Sequence, residues 1–107
     1  MHGIISESDQ IALYLERAKA LIDHPDKWVQ EAYEHKGRRC ALQALRDVAS
    51  DRLLNKLKYT LANIDESNEP DSVIANFNDK HSHAEVMNLF DTAIARVRSL
   101  SVLRTSV

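Results

Sequence analysis

Residues that form turns or cross-links are scarce in this chain of 107 residues, which has two glycines, two prolines and one cysteine. Ala, Leu, Glu, Lys and Arg fill much of the remainder, and these residues enter a helix at the lowest free-energy cost. Helix is therefore favoured over sheet. The lone Cys40 excludes an internal disulfide bond, which fits a reducing cytoplasm.

Long apolar runs are also missing from the sequence. No stretch approaches the roughly 20 apolar residues that span a bilayer, and no apolar segment with a cleavage site near the N-terminus indicates secretion. We therefore expect a cytoplasmic protein that does not insert into a membrane. The formal charge of -2 gives no overall attraction for phosphate polyanions, so nucleic acid is not the expected partner.

Recognisable catalytic motifs are absent as well. The sequence has no Gly-rich phosphate loop, no nucleophile elbow, no paired CxxC and no HExxH. These absences favour a non-enzymatic role, and no cofactor is expected.

Apolar residues recur at three- and four-residue steps along most of the chain, which is typical of amphipathic helices. This spacing predicts helices at about 9–23, 40–49 and 51–64, and a last helix that begins after Ser82, where Glu85 completes a capping box. We predict an all-α fold, a compact bundle of three longer helices plus one or two short helices. It forms one domain over residues 1–107, with frayed ends at 1–6 and 104–107.

In two segments between these helices, the helical spacing of apolar residues extends over fewer positions. From Pro25 to Gly37 we predict a short helix that carries Trp28 and Tyr33 and ends at a left-handed cap on Gly37. The polar run 63–71 reads as a surface loop. Pro70 then precedes a short helical turn, which the stretch NDKHSH interrupts.

The stretch NDKHSH contains the side chains best suited to chemistry: Asp79, His81 and His83. Carboxylate and imidazole bind transition metals, and His with Asp forms an acid–base pair, so one alternative is a small metal-binding or ligand-binding protein or hydrolase. Histidines two residues apart converge only in a loop, however. The favoured interpretation is structural: Asp79 accepts backbone N–H groups, Asn78 adopts a left-handed cap, and both histidines are solvated.

Basic residues precede Cys40 and allow two further interpretations. Arg38, Arg39 and a helix N-terminus would favour a reactive thiolate, but the apolar neighbours of Cys40 favour an inert core cysteine. Lys36, Arg38 and Arg39 together form a weaker alternative, a nucleic-acid contact that would be sensitive to salt.

Three segments of the chain show a family pattern when they are taken in order. They are Trp28, Gln30 and Ala32; then Gly37, Cys40, Leu42, Ala44 and Leu45; then Ile74 to Asp79 with Glu85, Val86, Phe90 and Ala93. Together they resemble a family of small bacterial and phage proteins, the domain of unknown function 6197. The resemblance implies a compact helical domain in which the tryptophan, cysteine and Asn-Asp segments meet, and it implies no activity.

Such a meeting gives Asn78 and Asp79 two kinds of donor: Arg38 or Arg39, or backbone amides that open a neighbouring helix. Two interpretations of these contacts are open: they stabilise the fold and have no other role, or the residues that make them surround a binding pocket. The candidate binding residues are Trp28, Gln30, Arg38, Arg39, Asn78 and Asp79.

Our leading hypothesis is an accessory or interaction module whose partner is a protein, a second copy of the chain included. Its basis in the sequence is a set of apolar residues outside the predicted core, namely Leu42, Met87 and Leu103.

Overall fold

The computed structural model describes the backbone of residues 6–105 and the side chains of residues 6–100. Most of the described residues are helical, so the predicted fold class is confirmed. The helices are α1 (Glu7–Leu21), α2 (Ala41–Val48), α3 (Asp51–Ala62), α4 (Pro70–Lys80) and α5 (His83–Thr105). A single 3-10 turn at Pro25–Lys27 and a hairpin of two short strands, β1 (Glu34–His35) and β2 (Arg38–Arg39), lie between α1 and α2.

The first helix begins where the sequence supplies a cap. The Ser6 hydroxyl accepts a hydrogen bond of 3.1 Å from the Asp9 N–H, which satisfies one of the donors that a helix start leaves unpaired. The buried face of α1 includes Leu15 and Ala18, and it packs mainly against α5 and α2. On α5, Phe90 is fully buried in the same core.

The short helix α2 packs against α1, α3 and α4. Its apolar face is buried, Leu42 and Leu45 included. The expectation that Leu42 lies outside the core was therefore wrong. Met87 is partly buried against the core, and Leu103 lies outside the residues whose side chains are described.

The predicted short helix between Pro25 and Gly37 was wrong. After the 3-10 turn the chain forms no further helix before α2, and its hydrogen bonds go to distant partners: the Val29 N–H donates to the Arg39 carbonyl at 3.1 Å. Gly37 is a turn residue of the hairpin and not a helix cap. Lys36 at φ 53 and Gly37 at φ 82 form a two-residue turn with two positive φ angles, as a tight hairpin requires.

The fourth helix is longer than its sequence pattern predicts. Pro70 is its first residue, as expected, but α4 continues through Asn78 and Asp79 to Lys80. The predicted interruption and the left-handed Asn78 were therefore wrong, because Asn78 is held in the helix by contacts with other elements. The capping box before α5 is confirmed: the Ser82 N–H donates to Glu85 Oε1 at 2.9 Å, and the Glu85 N–H donates to Ser82 Oγ at 3.1 Å.

Among the described helices, none combines the length and hydropathy that crossing a membrane requires. Residues 1–5, most of the expected frayed N-terminus, and residues 106–107 lie outside the described residues.

Candidate functional site

Asn78 joins three parts of the chain through its side-chain amide. Its Oδ1 accepts hydrogen bonds from Trp28 Nε1 at 2.6 Å and from the Ala41 N–H at 2.9 Å. Its Nδ2 donates to the Val29 carbonyl at 2.9 Å and to Asp79 Oδ1 at 3.3 Å. The side chain is fully buried, and its four bonds use both donors and both lone pairs of the amide.

The strap, which we define as residues 28–31, crosses the C-terminal end of α4. Gln30 Nε2 donates to the carbonyls of Asn78, Asp79 and His81 at 3.2, 3.1 and 2.9 Å. The last carbonyls of a helix have no partner within the helix, so Gln30 supplies the cap for α4.

Glu31 ends the strap in an unusual backbone conformation. Its φ of 59 lies in the left-handed region, which costs a residue with a Cβ about 1–2 kcal/mol. The Glu31 N–H donates to Asp79 Oδ1 at 2.7 Å, and this bond to a carboxylate holds the strained residue against α4.

A groove of about 480 Å³ lies beside the strap. It is lined by Glu31, Ala32, Tyr33, Cys40, Ala75 and Asp79. Ala75 and Asp79 are four residues apart on α4 and therefore share one face of that helix. The groove combines a mainly apolar lining, including the 54% exposed Tyr33, with two carboxylates.

Cys40 belongs to the core and also contributes to the groove. It is 3% exposed, and its Sγ accepts a hydrogen bond from the Gln43 N–H at 3.4 Å as the N-cap of α2. Burial raises the pKa of the Cys40 thiol, backbone N–H groups of Gln43 and Leu42 lower it by less, and the negative charge of Asp79 adds a smaller increase. The thiol is therefore protonated at neutral pH, and the interpretation as a core cysteine is confirmed.

His81 and His83 stabilise two different places in the fold: the end of α4, and the contact between the end of α1 and the start of α5. His81 Nδ1 lies 2.9 Å from the Phe77 carbonyl, and its ring stacks on Phe77 at 3.8 Å between centroids. His83 Nε2 lies 2.7 Å from the Ile22 carbonyl. Since a carbonyl accepts only, each of these ring nitrogens carries a proton. Both histidines are half-buried, so the expectation that they are solvated was wrong.

Within residues 6–100, no group of three or more His, Cys, Asp and Glu side chains is placed to hold a metal ion. The weak metal candidates Asp79, His81 and His83 instead contact the backbone N–H of Glu31 and the two carbonyls described above.

The arginines before α2 do not reach the Asn78–Asp79 pair. Arg39 pairs with Asp47, while Arg38 and Lys36 are exposed on the hairpin. The predicted arginine donors were therefore wrong. The other predicted donor, an amide that opens a neighbouring helix, is confirmed by the Ala41 N–H, which belongs to the first residue of α2.

The structure thus brings together four of the six candidate binding residues: Trp28, Gln30, Asn78 and Asp79. All four use their polar atoms to fix the strap, and Asp79 also lines the groove. Glu31 and Ala75, which also line the groove, were not among the predicted binding residues. Ala75 was detectable as the residue one turn before Asp79 on α4, but a left-handed glutamate has no sequence signature.

Comparison with known proteins shows the family of the chain. A family model described as a family of unknown function, DUF6197, matches residues 6–96, which include the strap and every residue that lines the groove. No curated protein and no solved structure matches the chain.

Proposed function

The chain belongs to the family of unknown function DUF6197, and we propose that it is a non-enzymatic interaction module that binds a partner protein in the groove. The observation that carries this proposal is the strap. Trp28, Gln30 and Asn78 use their polar atoms to tie the strap to α4, and Asp79 Oδ1 accepts the N–H of the strained Glu31 at the edge of the groove. Backbone strain of this kind persists where the surrounding contacts enforce it, and such residues concentrate at binding sites.

The size and lining of the groove support binding. Its volume of about 480 Å³ falls in the range of roughly 300–1,000 Å³ that is usual for ligand sites. Such sites have a mainly apolar lining with a few placed polar groups. The apolar lining comes from Ala32, Cys40 and Ala75, and the polar groups are the carboxylates of Glu31 and Asp79.

The chemistry of the neighbouring groups favours binding over catalysis. A nucleophilic cysteine needs a lowered pKa, whereas burial raises the pKa of Cys40. His81 and His83 each donate one ring N–H to a backbone carbonyl, and Asp79 accepts the Glu31 N–H. A free, buried thiol also suits the reducing cytoplasm in which we place this module.

A peptide selection tests the proposal. A displayed library of random peptides is selected on the immobilised protein, and enriched peptides are titrated by fluorescence anisotropy. We expect Ala75→Gln, which fills part of the groove, to weaken binding at least tenfold. The matched control is Ala95→Gln on the exposed face of α5, which should leave the affinity unchanged. Both variants should retain the thermal midpoint of the parent protein within a few degrees.

The proposal fails if the selection enriches no binding peptide, or if the peptides bind the Ala75→Gln variant as tightly as the parent protein.

A further inference from the structure

We propose that the groove recognises a cationic side chain, and specifically an arginine that the partner protein presents. This inference rests on the proposed function and names the chemistry of the partner. It follows from the charges of the groove, the acceptors that remain available there, and the apolar surface around them.

The charge of the groove is negative. Glu31 and Asp79 line it, and two of the arginines nearby have acidic partners: Arg39 pairs with Asp47, and Arg46 pairs with Asp71. The field of Asp79 extends across the groove to the thiol of Cys40, whose pKa it helps to raise. An anionic ligand would be repelled here, and a cation would be attracted.

The two carboxylates retain hydrogen-bonding capacity. Asp79 Oδ1 accepts bonds from the Glu31 N–H and from Asn78 Nδ2. Within the described part of the chain, Asp79 Oδ2 and the Glu31 carboxylate accept no hydrogen bond and form no ion pair. Because Asp79 Oδ1 holds the Glu31 N–H, the Glu31 side chain starts from a fixed backbone position beside Asp79 before any ligand arrives.

The rest of the lining matches the stem of an arginine. Ala32, Ala75 and Cys40 offer apolar contact to three methylene groups, and Tyr33 offers an aromatic ring. Arginine fits better than lysine, because its planar guanidinium presents several donors to two carboxylates, stacks on aromatic rings and is more weakly hydrated. One face of the Tyr33 ring already holds a guanidinium, since the Arg46 guanidinium carbon lies 5.0 Å from its centroid, so the arginine of the partner would contact the other face of this exposed ring.

Titration with short capped peptides, followed by the amide chemical shifts of the protein, tests the inference. The probes are one peptide with a central arginine and the same peptide with citrulline, which has nearly the same shape and no charge. We expect the arginine peptide to shift the amides of residues 31–33, 75 and 79, and to bind at least fivefold tighter than the citrulline peptide. Raising the salt concentration should weaken this binding.

Charge-removing variants identify the groups involved. Glu31→Gln and Asp79→Asn should each lower the affinity for the arginine peptide about two- to fivefold, which is the effect of losing one partly exposed ion pair. Asp79→Asn keeps the acceptor for the Glu31 N–H. The matched control is Glu34→Gln, which removes the same charge from the exposed strand β1 outside the groove lining and should leave the affinity unchanged.

The inference is overturned if citrulline binds as tightly as arginine, or if the shifted amides lie away from the groove. It is also overturned if Glu34→Gln weakens binding as much as Glu31→Gln, since the effect would then come from net charge. The two proposals fail separately: selected peptides that lose affinity with Ala75→Gln but contain no basic residue would retain the binding groove and exclude the arginine.

Discussion

The Asn78 amide is fully buried, and three different parts of the chain depend on it. A buried polar group is tolerated when every bond is made, and removing one partner leaves the others without compensation. Trp28 Nε1, the Ala41 N–H and the Val29 carbonyl would all lose their acceptor or donor. Asn78 therefore acts as a structural clasp between α2, α4 and the strap.

We predict that Asn78→Ala lowers the free energy of unfolding by about 2–4 kcal/mol, because it leaves several polar groups unpaired in the core. Urea denaturation monitored by circular dichroism measures this loss. The matched control is Asn76→Ala on the exposed face of the same helix, which should change stability by less than about 0.5 kcal/mol. If the two variants lost the same free energy of unfolding, this structural role of Asn78 would be contradicted.

The residues of this site could be predicted only in part. The family pattern placed Trp28, Gln30, Asn78 and Asp79 together, and the structure agrees. Their roles were not predictable, because asparagine and aspartate are common in turns and their local pattern indicated one. The bonds that hold Asn78 in α4 come from residues 37–50 positions away in the sequence.

Among the elements, α1, α2, α3 and the start of α5 followed from the sequence, whereas the full length of α4 and the hairpin did not. Apolar spacing and the Ser82–Glu85 capping box located α1, α3 and the start of α5, since both signals are local. The strands β1 and β2 have two residues each, which is too short for an alternating pattern. The Lys36–Gly37 turn also lacks the Asn-Gly or Asp-Gly pair that marks many hairpins.

The start of α5 should respond to acid through its capping box. Hydrogen bonds from Ser82 lower the pKa of Glu85 below its ordinary value of 4.5. Because the pKa of Glu85 is lower in the folded protein than in the unfolded chain, its ionised carboxylate stabilises the fold. This stabilisation is fully present at a pH above the unfolded-state pKa, and it is lost as the pH falls through the folded-state pKa. We predict that the parent protein loses more stability between pH 6 and pH 3 than Glu85→Gln does. Thermal unfolding across this range provides the measurement, and parallel curves would contradict the prediction.

At the scale of the whole molecule, Asp71 ties three helices together. Its Oδ2 lies 3.2 Å from Arg46 on α2, and its Oδ1 lies 3.0 Å from Lys58 on α3. Lys58 has a side chain that is only 13% exposed, so its charge is poorly solvated without Asp71. This shared ion pair complements the apolar packing of α2, α3 and α4.

We predict that Asp71→Asn lowers the free energy of unfolding by about 1–2 kcal/mol, since two cations lose one acceptor and one of them is largely buried. The control is Asp91→Asn, which breaks a pair with Lys19 across α1 and α5 where the Asp91 side chain is 56% exposed. That exposed pair should contribute less than about 1 kcal/mol. Chemical denaturation of both variants distinguishes them, and a larger loss for Asp91→Asn would refute the shared role of Asp71.

The packing of α1 against α5 has a consequence for how the protein is made on the ribosome. Leu15 and Phe90 share one core although most of the chain separates them. During synthesis, α1 emerges long before its main partner α5, so the apolar surface that α5 covers stays exposed until residues 83–97 leave the exit tunnel. Contacts so distant in sequence slow folding, and apolar surface that is exposed in the meantime favours aggregation of the nascent chain.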